Sequence, residues 1–210
     1  MAAPLSNLMV VISAPSGGGK TTVCERLLSA DPGVDRAVTC TTRAPRSGER
    51  DGSDYHFLTG EEFEARVAAG LFLEHARVHG QRYGTLRSEV LDRMRAGRDV
   101  LLNIDVQGAA QVRAKARSDA ELRRALVTIF LTPPSMGILE KRLRGRRTEA
   151  EEAVLARLAI ARREVAEWAR FDYLLLSGTV DEDLRRMQAI LEAERMRSAR
   201  VTEWNGLGGD

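Results

Sequence analysis

A short segment near the start of the chain limits the possible folds more than any other part of the sequence. Leu8–Ser13 is a continuous apolar run, LMVVIS, which is typical of a strand buried on both faces of a parallel sheet. Glycines follow at once in Ala14–Gly19, and Lys20–Ala30 has the pattern of a helix. The segment therefore predicts a strand, a tight loop and a helix, which form the first unit of an α/β fold.

The loop matches the Walker A pattern, G-x-x-x-x-G-K-[ST], at every fixed position except the first, where alanine replaces glycine. In such a loop the backbone N–H groups hold phosphate oxygens, and the following helix adds its positive N-terminal end. Lys20 would reach the β- and γ-phosphates, and Thr21 would offer its hydroxyl to Mg²⁺. The other interpretation is a Gly-rich turn that only caps a helix, and the buried strand before it argues against that. The predicted ATP phosphate-binding residues are Ala14, Pro15, Ser16, Gly17, Gly18, Gly19, Lys20, Thr21 and Thr22, with Lys20 also catalytic.

Apolar runs of the same kind recur along the chain and alternate with helical stretches. The further predicted strands are Val100–Ile104, Val127–Leu131 and Tyr173–Leu176, and the predicted helices lie near 107–116, 135–144 and 180–200. Three pairs fit the capping box that marks a helix start, namely Thr59 with Glu62, Thr148 with Glu151 and Thr179 with Glu182. Because alternation of this kind favours βαβ units, we predict an α/β domain with a parallel sheet flanked by helices.

Two segments interrupt the alternation and are predicted to be insertions. Between residues 37 and 85, short alternating pieces are separated by glycine and proline, as in a small antiparallel sheet. From Leu139 to Arg163 basic residues crowd together and lead into an amphipathic helix that is predicted to reach about Arg170. The domain is therefore expected to carry a small β subdomain and a basic helical segment.

Composition limits the compartments and partners. A chain of 210 residues suits one domain, and 43 % hydrophobic with 30 % charged residues is ordinary for a globular protein. No apolar run approaches the roughly 20 residues that a membrane span needs. The net charge is only +2, so we expect neither a nucleic acid nor a membrane as partner. Two cysteines cannot staple a secreted scaffold, which predicts a cytoplasmic protein.

Asp105 directly follows the predicted strand Val100–Ile104. It would therefore stand at the carboxyl end of that strand, the edge where open α/β sheets bind ligands. There it could serve Mg²⁺ or an acceptor substrate. The structural alternative is an N-cap for the helix near 107–116, and the residue pattern alone rates the two equally.

Several further motifs follow the phosphate loop in a set order. They are Thr41–Glu49 (TTRAPRSGE), Gly52–Phe57 (GSDYHF), Phe72–Glu74 (FLE), Tyr83–Thr85 (YGT) and Ile104–Gly108 (IDVQG). Together they closely resemble guanylate kinases, over about residues 8 to 200. The resemblance implies transfer of the γ-phosphoryl group of ATP to GMP, and also to dGMP, with Mg²⁺. It also implies a P-loop NTPase-type core (about 5–38, 97–135 and 171–200), a mixed β GMP-binding subdomain (39–96), a helical lid (136–170) and a frayed tail (201–210).

The resemblance assigns acceptor residues in the β subdomain. Arg43 and Arg46 would hold the GMP phosphate, helped by the hydroxyls of Tyr55 and Tyr83, and guanidinium groups suit a dianionic phosphate. Spacing alone leaves a solvated basic loop as an equal alternative. Glu74 would accept hydrogen bonds from the N1–H and amino group of guanine. The remaining GMP contacts implied are Thr39, Thr85 and Asp105.

The basic segment supplies the lid residues that the resemblance implies. Arg142, Arg146 and Arg157 would stabilise the charge that develops on the transferred group, and lid closure would exclude water. The alternative is a basic helix surface balanced by neighbouring glutamates, Glu164 among them. The sequence departs from the family pattern at two places. Asn103 replaces a common acidic residue, and Ser177-Gly178 replaces an Asn-Asp pair near the adenine.

Other residues have weaker patterns. His75 and His79 lie four apart, but their segment is predicted to be a strand and turn, so we expect no metal pair. Cys24 is expected to be a buried apolar residue. Two other functions stay open at this point. One is a catalytically silent, guanylate-kinase-like interaction module, and the other is a P-loop kinase with a sugar-phosphate acceptor.

Overall fold

The computed structural model of the protein describes residues 7–78, 80–145 and 151–201. Its strands are β1 (Met9–Ser13), β2 (Val34–Arg36), β3 (Cys40–Thr41), β4 (His56–Phe57), β5 (Phe72–Val78), β6 (Gln81–Leu86), β7 (Asp99–Asn103), β8 (Leu126–Thr132) and β9 (Tyr173–Leu176). Its α-helices are α1 (Lys20–Ala30), α2 (Gly60–Ala68), α3 (Arg87–Arg95), α4 (Val106–Ser118), α5 (Ala120–Ala125), α6 (Met136–Arg144), α7 (Glu151–Val165) and α8 (Val180–Arg195).

Five strands form a parallel sheet in the order β2-β7-β1-β8-β9, with β1 at its centre. Met9 and Val11 pack with α3, α4 and α5 on one face, whereas Val10 and Ile12 pack with α1 and α8 on the other. This is why β1 is apolar at successive positions and not at every second one. The α/β prediction with a parallel sheet flanked by helices is confirmed.

The register of the central strands places the functional loops side by side. Ile12 of β1 pairs with Asn103 of β7, so both strands end at the same edge of the sheet. The Gly-rich loop that begins at Ala14 and the turn at Asp105 therefore leave the sheet next to each other. This edge is the carboxyl edge, where parallel α/β sheets form their binding crevices.

A second, smaller sheet has the order β4-β3-β6-β5 and is covered by α2. Phe63 of α2 stacks on Phe72 of β5, with ring centroids 4.5 Å apart. The antiparallel pattern predicted for this segment holds for β3–β6 and β5–β6, but β3 and β4 are parallel. The long connection between β3 and β4 brings the chain back in the same direction, so the sheet is mixed.

Helices α6 and α7 pack on each other through an apolar cluster of their own. Its buried members are Leu139, Leu143, Val154, Leu158 and Ala161. The predicted continuous helix to about Arg170 is wrong, because α7 ends at Val165 and a short 3₁₀ turn (Trp168–Arg170) follows. The helix predicted over 180–200 likewise ends at Arg195.

The capping signals identify two helix starts correctly. The capping boxes at Thr59 and Thr179 are formed, each with its glutamate side chain accepting from the threonine N–H. The third predicted box begins at Thr148, which lies outside the described residues. Over the part of the chain that the structure describes, no helix has the length and apolarity to cross a membrane.

Candidate active site

The Gly-rich loop and the start of α1 enclose a cavity of about 340 Å³. All nine residues from Ala14 to Thr22 line it, together with Asp105 and Glu164. Gly17 and Gly19 have φ angles of 83° and 93°, a region that glycine adopts without strain. No side chain caps α1, so the N–H groups of its first turn are available to an anion.

Lys20 lies along the inner wall of this cavity. Its Nζ donates a hydrogen bond to the carbonyl oxygen of Ile104 at 2.6 Å, and the same carbonyl accepts from the Ser13 hydroxyl. Burial lowers the pKa of Lys20, and the nearby Cys24, Asp105 and Glu164 act in the opposite direction. The ammonium group is therefore already largely stripped of water, which strengthens its interaction with any phosphate that enters.

The position of Asp105 fits both interpretations that the sequence left open. As the N-cap of α4 it accepts a hydrogen bond from the Gly108 N–H at 2.8 Å. The same residue lines the phosphate-loop cavity and a second cavity beside it. The structural and the functional interpretations are thus compatible, because a cap uses only one of the two carboxylate oxygens.

The second cavity, of about 230 Å³, lies between the small sheet and the carboxyl edge of the large one. Its lining includes five of the predicted acceptor residues, namely Thr39, Tyr55, Glu74, Tyr83 and Asp105. Asn103, which departs from the family pattern, also lines it. The structure therefore brings most of the predicted acceptor residues into one pocket.

Glu74 is the most buried carboxylate of this cavity, with 4 % of its surface exposed. The Thr85 hydroxyl donates to Glu74 Oε1 at 2.7 Å, so Thr85 acts behind the pocket wall. Burial raises the pKa of Glu74 to about 7, and the charge of Asp105 adds to the rise. A Cβ on Gly108 would lie 2.9 Å from Glu74 Oε2, so only glycine lets α4 approach this carboxylate so closely.

The two predicted phosphate arginines lie in the turn after β3, and neither is among the residues that line this cavity. Both oxygens of Glu49 accept from Arg43 Nη2, at 2.8 and 2.9 Å, and Glu49 also accepts from the Arg46 N–H. The Arg43 guanidinium lies 5.3 Å from the ring centroid of Tyr55. Glu49 thus holds the turn so that Arg43 stands beside both pocket tyrosines, whereas the Arg46 side chain is exposed.

The lid arginines predicted from the sequence have different outcomes. Arg142 of α6 reaches the phosphate loop, where its Nη1 donates to the Gly18 carbonyl at 3.5 Å and to Ser177 Oγ at 3.2 Å. Arg157 is half-buried on α7. Arg146 lies outside the described residues. Ser177, which belongs to one of the two departures from the family pattern, is therefore a partner of Arg142.

Glu164 is a site residue that the sequence interpretation missed. It lines the phosphate-loop cavity, and its Oε2 accepts a hydrogen bond from the Ser16 N–H at 3.1 Å. The sequence interpretation names it only in the alternative to the lid, as one of the glutamates that balance a basic helix surface. The signal that points to it is helical spacing, because Glu164 follows Arg157 by seven residues and so shares its face of α7.

Cys24 is buried, as predicted. Burial raises the pKa of Cys24 to about 12 and that of Cys40 to about 11, so both thiols stay protonated and unreactive at neutral pH. His75 lies on strand β5, and His79 is outside the described residues. Over the described ranges, no three metal-binding side chains of His, Cys, Asp or Glu come together.

A phosphate-loop cavity that adjoins a second pocket at one shared carboxylate is the arrangement expected of a P-loop kinase. Residues 6–194 match the sequence model described as guanylate kinase. The guanylate kinase of Paramagnetospirillum magneticum is 47 % identical over 92 % of this chain and 87 % of its own length. The guanylate kinase of Cereibacter sphaeroides is 43 % identical over 97 % of this chain and 96 % of its own length. The chain belongs to the guanylate kinase family.

A solved structure agrees with this assignment. The crystal structure of guanylate kinase from Anaplasma phagocytophilum is 34 % identical and superposes with a TM-score of 0.74, covering 95 % of this chain and 92 % of that one. The resemblance inferred from the motifs is confirmed, and the protein is an enzyme, a nucleoside monophosphate kinase for ATP:GMP phosphotransfer. Neither the silent interaction module nor the sugar-phosphate kinase is favoured.

Proposed function

We propose that the two cavities divide the substrates of this phosphotransfer, ATP in the phosphate loop and GMP in the pocket of the small sheet. The observation that carries the proposal is that Asp105 lines both cavities. A γ-phosphoryl group held in one cavity and an acceptor phosphate held in the other would meet at this shared wall. Such proximity turns a reaction between two molecules into an intramolecular one.

An inhibitor that spans both cavities tests this division directly. Adenosine and guanosine joined through five phosphates should compete with ATP and with GMP alike, because it would fill both sites at once. The measurement is a pair of inhibition series, each with one substrate varied. An inhibitor competitive with only one substrate would show that the two cavities do not form one reaction site.

The donor phosphates would be held by the loop and the first turn of α1, from Ala14 to Thr22. Lys20 would give its desolvated charge to the β- and γ-phosphates, in place of the Ile104 carbonyl that it now meets. No general base is needed, because the second pKa of a nucleotide phosphate is near 6 and GMP is already largely dianionic at pH 7. Catalysis would then consist of positioning and charge stabilisation.

The residues present fit a Mg²⁺ ion bound together with ATP. Mg²⁺ takes oxygen ligands and usually keeps several waters and substrate phosphates, so it needs only one or two ligands from the protein. Thr21 and Asp105 supply a hydroxyl and a carboxylate in the same cavity, and we propose that they hold the ion. When bound, the ion would neutralise charge on the phosphate oxygens.

The phosphate of GMP would be bound at the turn after β3. Arg43 and Arg46 supply the charge, and the hydroxyls of Tyr55 and Tyr83 complete the site. Glu49 supports the proposal, because its bonds to Arg43 and to the Arg46 backbone fix the turn before the substrate arrives. This preorganisation reduces the entropy lost on binding.

Replacing Arg43 by alanine is expected to raise the KM for GMP by about 10- to 100-fold and to leave the KM for ATP within about twofold. A hydrogen bond to a charged group contributes about 1.5–3 kcal/mol, which sets this range. Steady-state kinetics with each substrate varied provides the measurement, and Arg50→Ala, an exposed arginine of the same segment, is the control. If the KM for ATP rose more than the KM for GMP, Arg43 would belong to the ATP site and the two site assignments would have to be exchanged.

Guanine would be recognised by Glu74, Thr39, Thr85 and Asp105. The Glu74 carboxylate can accept from the guanine N1–H and amino group only while it is ionised. Thr85 already donates to one of its oxygens, which fixes the orientation of the carboxylate. The assigned residues meet the base and the phosphate and not the sugar, so we propose that dGMP is also an acceptor.

The raised pKa of Glu74 makes GMP use dependent on pH. With a pKa of about 7, caused mainly by burial, the carboxyl group of the free enzyme becomes neutral as the pH falls below 7. The kcat/KM for GMP should then fall along the titration of this one group from about pH 7 to 6, and more steeply below about pH 6, where the GMP phosphate is protonated as well. Glu74→Gln is the control, because its profile should retain only the titration of the GMP phosphate. Identical profiles for the two proteins would exclude Glu74 as the titrating group.

We propose that α6 and α7 form the lid over the donor phosphates, within the division of the chain into core, GMP-binding subdomain and lid. Arg142, Arg146 and Arg157 would stabilise the transferring group once the lid is closed. The contact of Arg142 with the Gly18 carbonyl supports this, because it brings a lid guanidinium to the phosphate loop. An enzyme that uses ATP and GMP would work in the cytoplasm, and the absence of nucleic acid and membrane partners stays a prediction.

The lid proposal predicts a loss of turnover without a loss of substrate binding. Arg157→Ala should lower kcat by about 10- to 100-fold with each KM changed less than threefold, because the contact is made mainly in the transition state. Arg142→Ala and Arg146→Ala should behave similarly. Arg163→Ala, an exposed position on α7, is the control. Equal small effects at all four positions would favour a solvated basic surface.

A further inference from the structure

The lid helix α7 is fastened to the phosphate loop by a carboxylate. Glu164 Oε2 accepts the Ser16 N–H at 3.1 Å, although the two residues are 148 positions apart in the chain. Glu164 is half-buried in the last turn of α7 and lines the same cavity as the loop. The contact uses the N–H of Ser16 and leaves the first turn of α1 without a side-chain cap. It is therefore compatible with an anion bound at the helix start.

The other lid helix meets the same loop. Arg142 of α6 donates to the Gly18 carbonyl. A Cβ on Gly17 would lie 2.8 Å from Leu143 Cδ2, so the missing side chain lets α6 pack directly on the loop. Because α6 and α7 share one apolar cluster, these contacts and the Glu164 bond attach a single two-helix unit at two places.

Helical geometry connects Glu164 to the proposed chemistry. Arg157 precedes Glu164 by seven residues, which is close to two turns, so both lie on one face of α7. A bond from Glu164 to the loop therefore turns the face that carries Arg157 toward the donor phosphates.

We propose that Glu164 is a positioning residue, whose hydrogen bond with the Ser16 N–H holds the lid helix on the phosphate loop in the orientation that Arg157 needs. This inference rests on the proposed role of the lid arginines. The bond acts through its acceptor oxygen. Burial raises the pKa of Glu164, and the nearby Asp105 adds to the rise, so the surroundings do not favour a negative charge at this position. A neutral amide at position 164 would still accept the N–H.

Two substitutions separate the hydrogen bond from the charge. Glu164→Ala removes the acceptor and is expected to lower kcat about tenfold with the KM for GMP unchanged. Glu164→Gln keeps an acceptor oxygen and should restore kcat to within about threefold of the wild type. Glu152→Ala, an exposed acidic position at the start of α7, is the control and should match the wild type. If Ala and Gln instead both tightened ATP binding with kcat unchanged, Glu164 would be a competitor of phosphate and the proposal would be overturned.

An observation independent of turnover completes the test. Amide hydrogen exchange of the Ser16 N–H, followed by NMR in the ligand-free protein, reports the bond itself. We expect slow exchange in the wild type and in Glu164→Gln, and exchange at least tenfold faster in Glu164→Ala. Equal exchange in all three proteins would overturn the proposal while leaving the assigned GMP and ATP sites untouched.

Discussion

Replacing Lys20 by alanine is expected to lower kcat by about 10²- to 10³-fold while leaving the affinity for GMP nearly unchanged. Removing one preorganised group that stabilises transition-state charge costs about 2.7–4 kcal/mol. Lys20 lies in the phosphate-loop cavity with its Nζ on the Ile104 carbonyl, and we propose that its charge serves the donor phosphates. The measurements are steady-state rates and calorimetric titration with GMP.

The control for this prediction is Lys141→Ala, because Lys141 is an exposed lysine of α6 to which no role is assigned. It should keep wild-type turnover. Near-wild-type turnover in Lys20→Ala would refute the assignment of the phosphate loop. A loss of GMP binding in the same variant would show instead that Lys20 serves the acceptor.

The second large effect concerns the choice of base. Adenine presents an acceptor at N1 and has no 2-amino group, so AMP would leave the buried Glu74 carboxylate without a partner. A site built for a donor pair rejects an analogue that lacks it by about 10⁴-fold in favourable cases. We therefore expect kcat/KM for GMP to exceed that for AMP by several orders of magnitude.

Glu74→Gln tests which residue carries this discrimination. The neutral amide has only one acceptor oxygen, so the variant should lose most of the GMP preference through poorer use of GMP. Glu61→Gln, an exposed position in the first turn of α2, should keep the wild-type ratio. If the GMP preference of Glu74→Gln stayed intact, the base would be recognised by Thr39, Thr85 or Asp105 instead.

The parts of the site that could be predicted from the sequence are those whose physics is local. The loop from Ala14 to Thr21 can be recognised from the sequence alone. A tight turn needs glycines, the adjacent helix start binds phosphate, and the lysine stands at a fixed spacing from the glycines. Strand β1 was equally clear, since burial on both faces requires successive apolar residues. The capping boxes at Thr59 and Thr179 also indicate helix starts from the sequence, because each depends only on two residues three positions apart.

The other features of the site depend on contacts between segments that are far apart in the chain. A local sequence pattern gives no information about such contacts. The hydrogen bond between Glu164 and Ser16 joins the second insertion, which is basic, to the phosphate loop. Glutamate is common on helices, so its presence in the sequence does not indicate this contact. Ser177 is similar, because its role as the partner of Arg142 arises only when β9 and α6 come together. The short helix α5 is capped by Asp119 and lacks the threonine–glutamate pair that identified the starts of α2 and α8.

This protein transfers a phosphoryl group from ATP to GMP, and we propose that it does so through two adjoining cavities. The most direct measurement is the rate of ADP formation by the purified protein with ATP and Mg²⁺ and with GMP, AMP, CMP or UMP in turn, together with identification of the nucleotide product. We predict one ADP and one GDP for each GMP consumed, and a kcat/KM for GMP at least about 10³-fold above that for the other three acceptors. No turnover of GMP, or equal rates with all four monophosphates, would contradict the account.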